Sequence, residues 1–247
     1  MQISLFEKPI LWKIPTISEQ TLADLPSKIA TLQSRLQSIF SQHQKVKLAN
    51  SLAIEDTVLL HELAQMGVNC PSFVLQTGKL NSETLEIAQT LQSHYPQVIF
   101  EFYYPNQQDT DDYIKNFGEY AFYDSVELRK RCCFIRKIEP LGRALLDADA
   151  WLTGQRQEQS VTRQDLAFAE QDTVHNIAKF NPIFDWTEQD IWAYAEQFNL
   201  PFNDLYHQGY PSIGCEPCSK AIRINENIRA GRWWWENQDT KECGLHK

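Results

Sequence analysis

Three short apolar runs each lead into a polar turn and then a helix-forming stretch. That repeat constrains the fold more than any other feature of the chain. Residues 45–53 (KVKLANSLA) read as a strand and the turn after it, followed directly by a helix over 55–65 that Gly67 ends. PSFVL (71–75) is a second strand running into Gln76-Thr77-Gly78, with a helix over 82–93 capped by Asn81 or Ser82. Residues 98–103 form a third strand, and AWLT (150–153) a further short one ending in Gly154-Gln155-Arg156. Strand–helix alternation with connections this short builds an α/β fold with a doubly wound, mostly parallel sheet. Before it, Leu22, Leu25, Ile29, Leu32 and Leu36 mark the apolar stripe of a helical lead-in. Residues 105–131 are polar and read as loop with short helix, and the stretch after Cys133 reads as helix. Thr187, with Asp190 three residues on, starts another helix that stops before Pro201. The expected organisation is a lead-in over 1–44, an α/β domain over 45–235 and a tail over 236–247 that is mobile unless tied down.

Charge narrows the ligand. The net charge of −9 argues against bulk binding of nucleic acid or an anionic membrane. No apolar run approaches the roughly 20 residues needed to span a bilayer. Glu7, Lys8 and Lys13 interrupt any leader-like core, so the expected location is the cytoplasm. The charge is uneven, however. Residues 1–128 carry 8 Lys/Arg against 15 Asp/Glu, residues 129–163 carry 8 against 4, and residues 164–247 carry 7 against 13. A positive island in an acidic chain suggests a small polyanionic ligand; a solvated charged face is the plainer alternative.

The six cysteines are also uneven. Cys132-Cys133 and Cys215-Glu216-Pro217-Cys218 form two tight pairs separated by 81 residues. Such pairing in a cytosolic chain reads as metal or redox chemistry rather than a disulfide framework. A C-x-x-C brings two thiolates to one centre from a single turn. Adjacent cysteines diverge by half a strand period and suit one metal ion poorly, but they can reach two irons of a larger cluster. Structural zinc is the alternative at this point. Cys70, at a strand entrance, reads as a small core residue. Cys243 lies in the polar run ENQDTKECGLHK, with Lys241 and His246 nearby to favour its thiolate and Glu242 opposing them.

Ligands of open α/β sheets sit beyond the carboxyl ends of the strands. Three such ends are chemically marked: Asn50 to Asp56, Leu75 to Gly78, and Thr153 to Arg156. The first places small and hydroxyl residues where backbone N–H groups open a helix, a ready anion site. It lacks the glycines and lysine of a phosphate-binding Walker loop, and no G-x-G-x-x-G occurs. Three marked turns beside a basic island favour a nucleotide or phosphosulfate ligand over ordinary turn chemistry.

The ordered set of motifs resembles the sulfonucleotide reductases, within the adenine-nucleotide α-hydrolase-like superfamily, and among them the assimilatory adenylyl-sulfate reductases. It runs Ser51…Glu55-Asp56, Leu75…Thr77-Gly78, Cys132-Cys133…Arg136-Lys137, Thr153-Gly154-Gln155-Arg156, Cys215-x-x-Cys218, Gly231-Arg232-Trp233-Trp234-Trp235-Glu236 and Lys241-Glu242-Cys243-Gly244-Leu245-His246. The resemblance covers residue 45 to the end. It implies a modified pyrophosphate-loop fold and a 4Fe–4S cluster on Cys132, Cys133, Cys215 and Cys218. It also implies thioredoxin-dependent reduction of adenosine 5′-phosphosulfate to sulfite and AMP, in sulfate assimilation toward cysteine. Cys243 would be the nucleophile that carries the sulfur as S-sulfocysteine. Ser51, Glu55, Asp56, Leu75, Thr77, Gly78, Lys137, Gly154, Arg163, Arg229, Arg232 and His246 would bind substrate. Members without the cysteine pairs prefer the 3′-phosphorylated nucleotide, so a cluster-containing or dual-specific enzyme for that substrate is the nearest alternative. A zinc-stapled nucleotide-binding protein without turnover is the non-enzymatic one. Homo-oligomerisation stays open. One departure stands out: where the family's second turn carries an aspartate, this chain has Gln76.

Overall fold

β1 (Val46–Ala49) occupies the middle of a six-stranded sheet, and its neighbours show where the chain reverses its winding. The structure is a computed structural model and describes residues 9–160 and 163–237. From β1 the chain passes through α2 (Ile54–Met66) to β2 (Ser72–Leu75), then through α3 (Ser82–His94) to β3 (Phe100–Tyr103), stepping outward on one side. β4 (Ala150–Leu152) then returns to the other side of β1, followed outward by β6 (Ile177–Phe180) and β5 (Ala169–Asp172). The order is β3-β2-β1-β4-β6-β5, parallel except for the β5–β6 pair. Leu48 stands opposite Ser72 on one side and Leu152 on the other, which makes the β1/β4 gap the topological switch point. The α/β expectation stands.

Helix boundaries follow local chemistry. Gly67 ends α2 in the left-handed region at φ 64°. Thr187 caps α7 (Glu188–Gln197) in a reciprocal box with Asp190. α1 (Glu19–Gln42) buries Leu25, Leu32, Leu36 and Ile39 and packs on α7, with Lys28 bonded to Asp190 at 2.5 Å. Ahead of α1, the lead-in crosses the molecule: Trp12 donates to the carbonyl of Ile222, and Ile224 to that of Ile10. No helix among the described residues is long and apolar enough to cross a membrane.

Two expectations are corrected. Residues 105–131 are largely helical, with α4 (Gln107–Phe117) and α5 (Val126–Cys133). α4 is overwhelmingly polar and buries little beyond Thr110 and Tyr113, so its apolar period is faint; Asn106 caps it by accepting from Gln108 and Asp109. The adjacent cysteines do not lie on extended chain but end α5. Successive helical side chains are about 100° apart, so both thiols can face one pocket. The chain then widens into a π turn over Phe134–Ile138 before α6 (Glu139–Ala144). π turns of this kind are concentrated at functional sites. The β5–β6 hairpin also escaped the pattern reading, because its edge strand AEQD carries no apolar alternation.

Candidate active site

At the switch point a cavity of about 230 Å³ opens between the carboxyl ends of β1, β2 and β4. The turn after β1 is shaped by an Asx-type bond from Leu52 N–H to Asn50 Oδ1 (2.8 Å), which holds Leu52 at φ 67°. α2 begins after Ala53, which supplies no side-chain cap for its first backbone N–H groups, and Ala53, Glu55 and Asp56 line the cavity. Tyr206 occupies one of those N–H groups, its hydroxyl accepting from Ile54 N–H at 3.0 Å.

Glu55 and Asp56 both line this cavity, and both are already engaged. Asp56 accepts from Ser51 N–H (2.7 Å), the Ser51 hydroxyl (2.5 Å) and Gly154 N–H (3.0 Å), tying the β1 turn to the β4 turn. Burial pushes its pKa up to about 6, against the pull of those bonds. Gly154 must be glycine: an added Cβ would strike Asp56 Oδ1 and lie 2.8 Å from Glu55 Cβ. Glu55 accepts from the buried Arg156 (2.9 Å) and from Gln159 (2.9 Å). With the carboxylates committed, the cations set the character of the wall: Lys137, Arg163, Arg229 and Arg232 all face the cavity. Arg232 donates to the Ile213 carbonyl at 2.9 Å and stacks on Trp233. Its Nε is buried without a hydrogen-bond partner among the described residues, as is Gln155 Oε1 on the opposite rim.

The cysteine pocket adjoins this cavity. Cys132, Cys133, Cys215 and Cys218 line it together and, with Phe122 and Trp233, form one buried cluster. Leu80 bridges Cys215 in an antiparallel pair and Glu216 N–H donates to the Lys79 carbonyl, stitching the C-x-x-C to the turn after β2. Thr77 and Lys137 form the shared wall. The Cys215 thiol donates to the Thr77 hydroxyl at 3.3 Å, Arg136 donates to the Thr77 carbonyl at 2.6 Å, and Lys137 lines both spaces. Burial pushes the Cys215 thiol up, but Lys137, the Thr77 hydroxyl, Arg232 and Arg136 outweigh it and hold the thiol below its ordinary value. Cys218 lacks enough of that support, and burial together with the neighbouring thiols pushes it up to about 12.

The donor set fits an iron–sulfur cluster on two counts. Cys132, Cys133, Cys215 and Cys218 form no disulfide, so no bridge takes up the pocket. Four thiols around one pocket instead suit the separated corners of a cluster. In addition, the indole N–H groups of Trp233 and Trp235 are buried in the same cluster without an acceptor among the described residues. Sulfide-bearing groups accept such bonds.

The sequence profile of the phosphoadenosine phosphosulfate reductase domain matches residues 45–221. The chain belongs to that family. An adenosine 5′-phosphosulfate reductase of Neisseria meningitidis serogroup B is 51% identical over 247 residues, covering 100% of both chains. One from Burkholderia cepacia is 53% identical over 90% of this chain and 89% of its own. The crystal structure of a phosphoadenylyl-sulfate reductase from Candida auris, in complex with phosphate, has a TM-score of 0.66 at 22% identity, covering 82% of this chain and 98% of its own. The Candida glabrata FMN adenylyltransferase has a TM-score of 0.61 at 14% identity, covering 93% of this chain and 81% of its own, a likeness of fold alone.

In this family member the cavity gathers Ser51, Glu55, Asp56, Leu75 and Thr77 with Lys137, Gly154, Arg163, Arg229 and Arg232. Gly78 is not on its wall; at φ 71°, it shapes the turn that lets Arg136 approach. Gln76 turns its Oε1 back to accept from Gly78 N–H at 3.1 Å. Cys243 and His246 lie outside the described residues. Gln155 and Arg156, in the turn after β4 that the sequence marks, and Tyr206, which it does not, also build the site. Arg156 carried a signal, its place in the basic island, whereas a tyrosine 152 positions from its helix terminus carries none.

Proposed function

We propose that the protein reduces adenosine 5′-phosphosulfate to sulfite and AMP with thioredoxin as the electron donor. The observation that carries this reading is the shared wall: a cation-lined cavity adjoins four buried thiols across Thr77, Lys137 and Trp233. Relatives named for that reaction, matching along the whole chain, support the choice of substrate.

The backbone donors at the start of α2 and the cations around them take the substrate's phosphosulfate anion. The Cys243 thiolate attacks the sulfuryl sulfur; the S–O bond breaks, and AMP leaves with the bridging oxygen. Negative charge accumulates on the leaving phosphate and the transferred group, and Lys137, Arg163, Arg229 and Arg232 offset it. A thioredoxin thiolate then attacks Cys243 Sγ. The S–S bond to the sulfonate breaks, sulfite departs with the electron pair, and the second thioredoxin thiol resolves the mixed disulfide. His246 helps orient the phosphosulfate. Cys132, Cys133, Cys215 and Cys218 would hold a 4Fe–4S cluster, whose contribution is the local field beside Lys137. The two electrons come from thioredoxin.

The test is anaerobic purification with iron and sulfide quantitation, followed by a thioredoxin-coupled sulfite assay on both nucleotides. The expected result is iron and sulfide in equal amounts and a higher kcat/KM on the 5′-phosphosulfate. Preference for the 3′-phosphorylated nucleotide would support the family's other substrate. Zinc with no turnover would overturn the reading.

A further inference from the structure

One buried ion pair has no part in the scheme above: Arg129 with Glu236. Arg129 lies on α5, one turn before Cys132 and Cys133. Glu236 follows the three tryptophans and stands seven residues before Cys243 in sequence. Neither side chain reaches solvent, at 0% and 3% exposure. Arg129 Nε and its terminal nitrogen donate to the two carboxylate oxygens at 2.9 and 2.8 Å, a bidentate fork. The same guanidinium stacks over Trp233 at 4.7 Å and lies against the Cys133 thiol. Glu236 is also turned back onto the tryptophan run, its N–H donating to the Trp233 carbonyl at 2.8 Å.

A buried ion pair is a poor source of stability, because desolvation of both charges offsets their attraction. What a planar fork supplies is direction: it fixes a carboxylate, and the backbone behind it, against the element that carries the arginine. Here that element also carries two of the four thiols. We propose that Arg129 and Glu236 are positioning residues, a clamp that fixes the chain at Glu236, seven residues before Cys243 in sequence, against α5. The delivery of the nucleophile is thereby tied to the geometry of α5. This inference rests on the reading of Cys243 as nucleophile.

The test uses the full iron-loaded chain, Glu236→Gln, and the apolar double variant Arg129→Met/Glu236→Met, which removes the charges while keeping the volume. Three quantities are read: iron per chain, AMP affinity, and the single-turnover rate of sulfonate addition to Cys243 by intact mass. A fourth, amide exchange over residues 233–237 without substrate, is independent of activity. In both variants the expected iron content and AMP affinity stay within about twofold. The addition rate falls by between about tenfold and a hundredfold, as misplacement of a reacting group predicts. Exchange over 233–237 accelerates. An addition rate close to that of the unaltered chain, a rate loss matched by loss of iron, or failure of both variants to fold overturns the proposal. If the unaltered chain forms no adduct, the reading of Cys243 fails, and the exchange result judges the clamp alone: unchanged protection overturns it.

Discussion

The cavity at the switch point and the cysteine pocket beside it meet at Thr77 and Lys137, yet they are built in opposite ways. The cavity centres on the turns after β1, β2 and β4, and its carboxylates are consumed internally: Asp56 by Ser51 and Gly154, Glu55 by Arg156 and Gln159. The pocket draws on segments some 80 residues apart, is walled by Phe122 and Trp233, and buries indole N–H groups that find no acceptor among the described residues. Leaving such donors unpaired costs about 1–3 kcal/mol each. Each region leaves buried polar atoms for an occupant: Arg232 Nε and Gln155 Oε1 in the cavity, and two indole N–H groups in the pocket, where the proposed occupant is the cluster.

Removing one ligand of that occupant should break the contrast most sharply. Cys215→Ser is expected to lose iron and at least about 100-fold in sulfite formation while AMP affinity changes little. Metal analysis beside calorimetry checks this, and a fully active, iron-free protein would refute it. The converse variant is Gly154→Ala, whose Cβ would strike Asp56 and crowd Glu55. It should cost about 2 kcal/mol of stability from overpacking and weaken AMP binding, with iron retained. Urea unfolding and iron content together read both effects.

A subtler comparison uses pH. The folded-state pKa of Asp56 is pushed up to about 6, above the ordinary 3.8, so the native state holds the proton more tightly than the unfolded chain. This group therefore lowers stability as pH rises from about 4 to 6, and the cost levels off above that. Asp56→Asn removes the slope. Relative to the unaltered chain, the variant should gain on the order of 2 kcal/mol between pH 4.5 and pH 7. Denaturant midpoints at the two pH values check the sign; a difference independent of pH would contradict it.

The sequence was most legible where the determining contacts are local. β1, β2, Gly67 and the Thr187 capping box all follow from residues within a few positions of one another. The marked strand ends do come together, because a parallel sheet leaves them no other side to point to. Glu55 and Asp56 were read as ligand contacts. Asp56 is held by nearby Ser51, but Gly154, Arg156 and Gln159, which complete the anchoring of both, lie about 100 residues on, beyond any periodic pattern. The sequence weighs adjacent Cys132 and Cys133 by the side-chain divergence of extended chain, whereas they end a helix. The helix that reconciles them is polar on most faces and carries only a faint apolar stripe. Gln76, conspicuous as a departure from the family, turns out to hold its own turn through Gly78.

In the proposed reaction this protein transfers the sulfuryl group to Cys243 before any electron arrives. The most direct measurement is intact and peptide mass spectrometry of the anaerobic, iron-loaded protein mixed with adenosine 5′-phosphosulfate and no thioredoxin. One SO₃ added per chain is expected, on the peptide carrying Cys243, together with one AMP released. The adduct should be discharged as sulfite on addition of reduced thioredoxin and should be absent from Cys243→Ser. Sulfite formed with no adduct on the unaltered chain, or by Cys243→Ser at an undiminished rate, would contradict it.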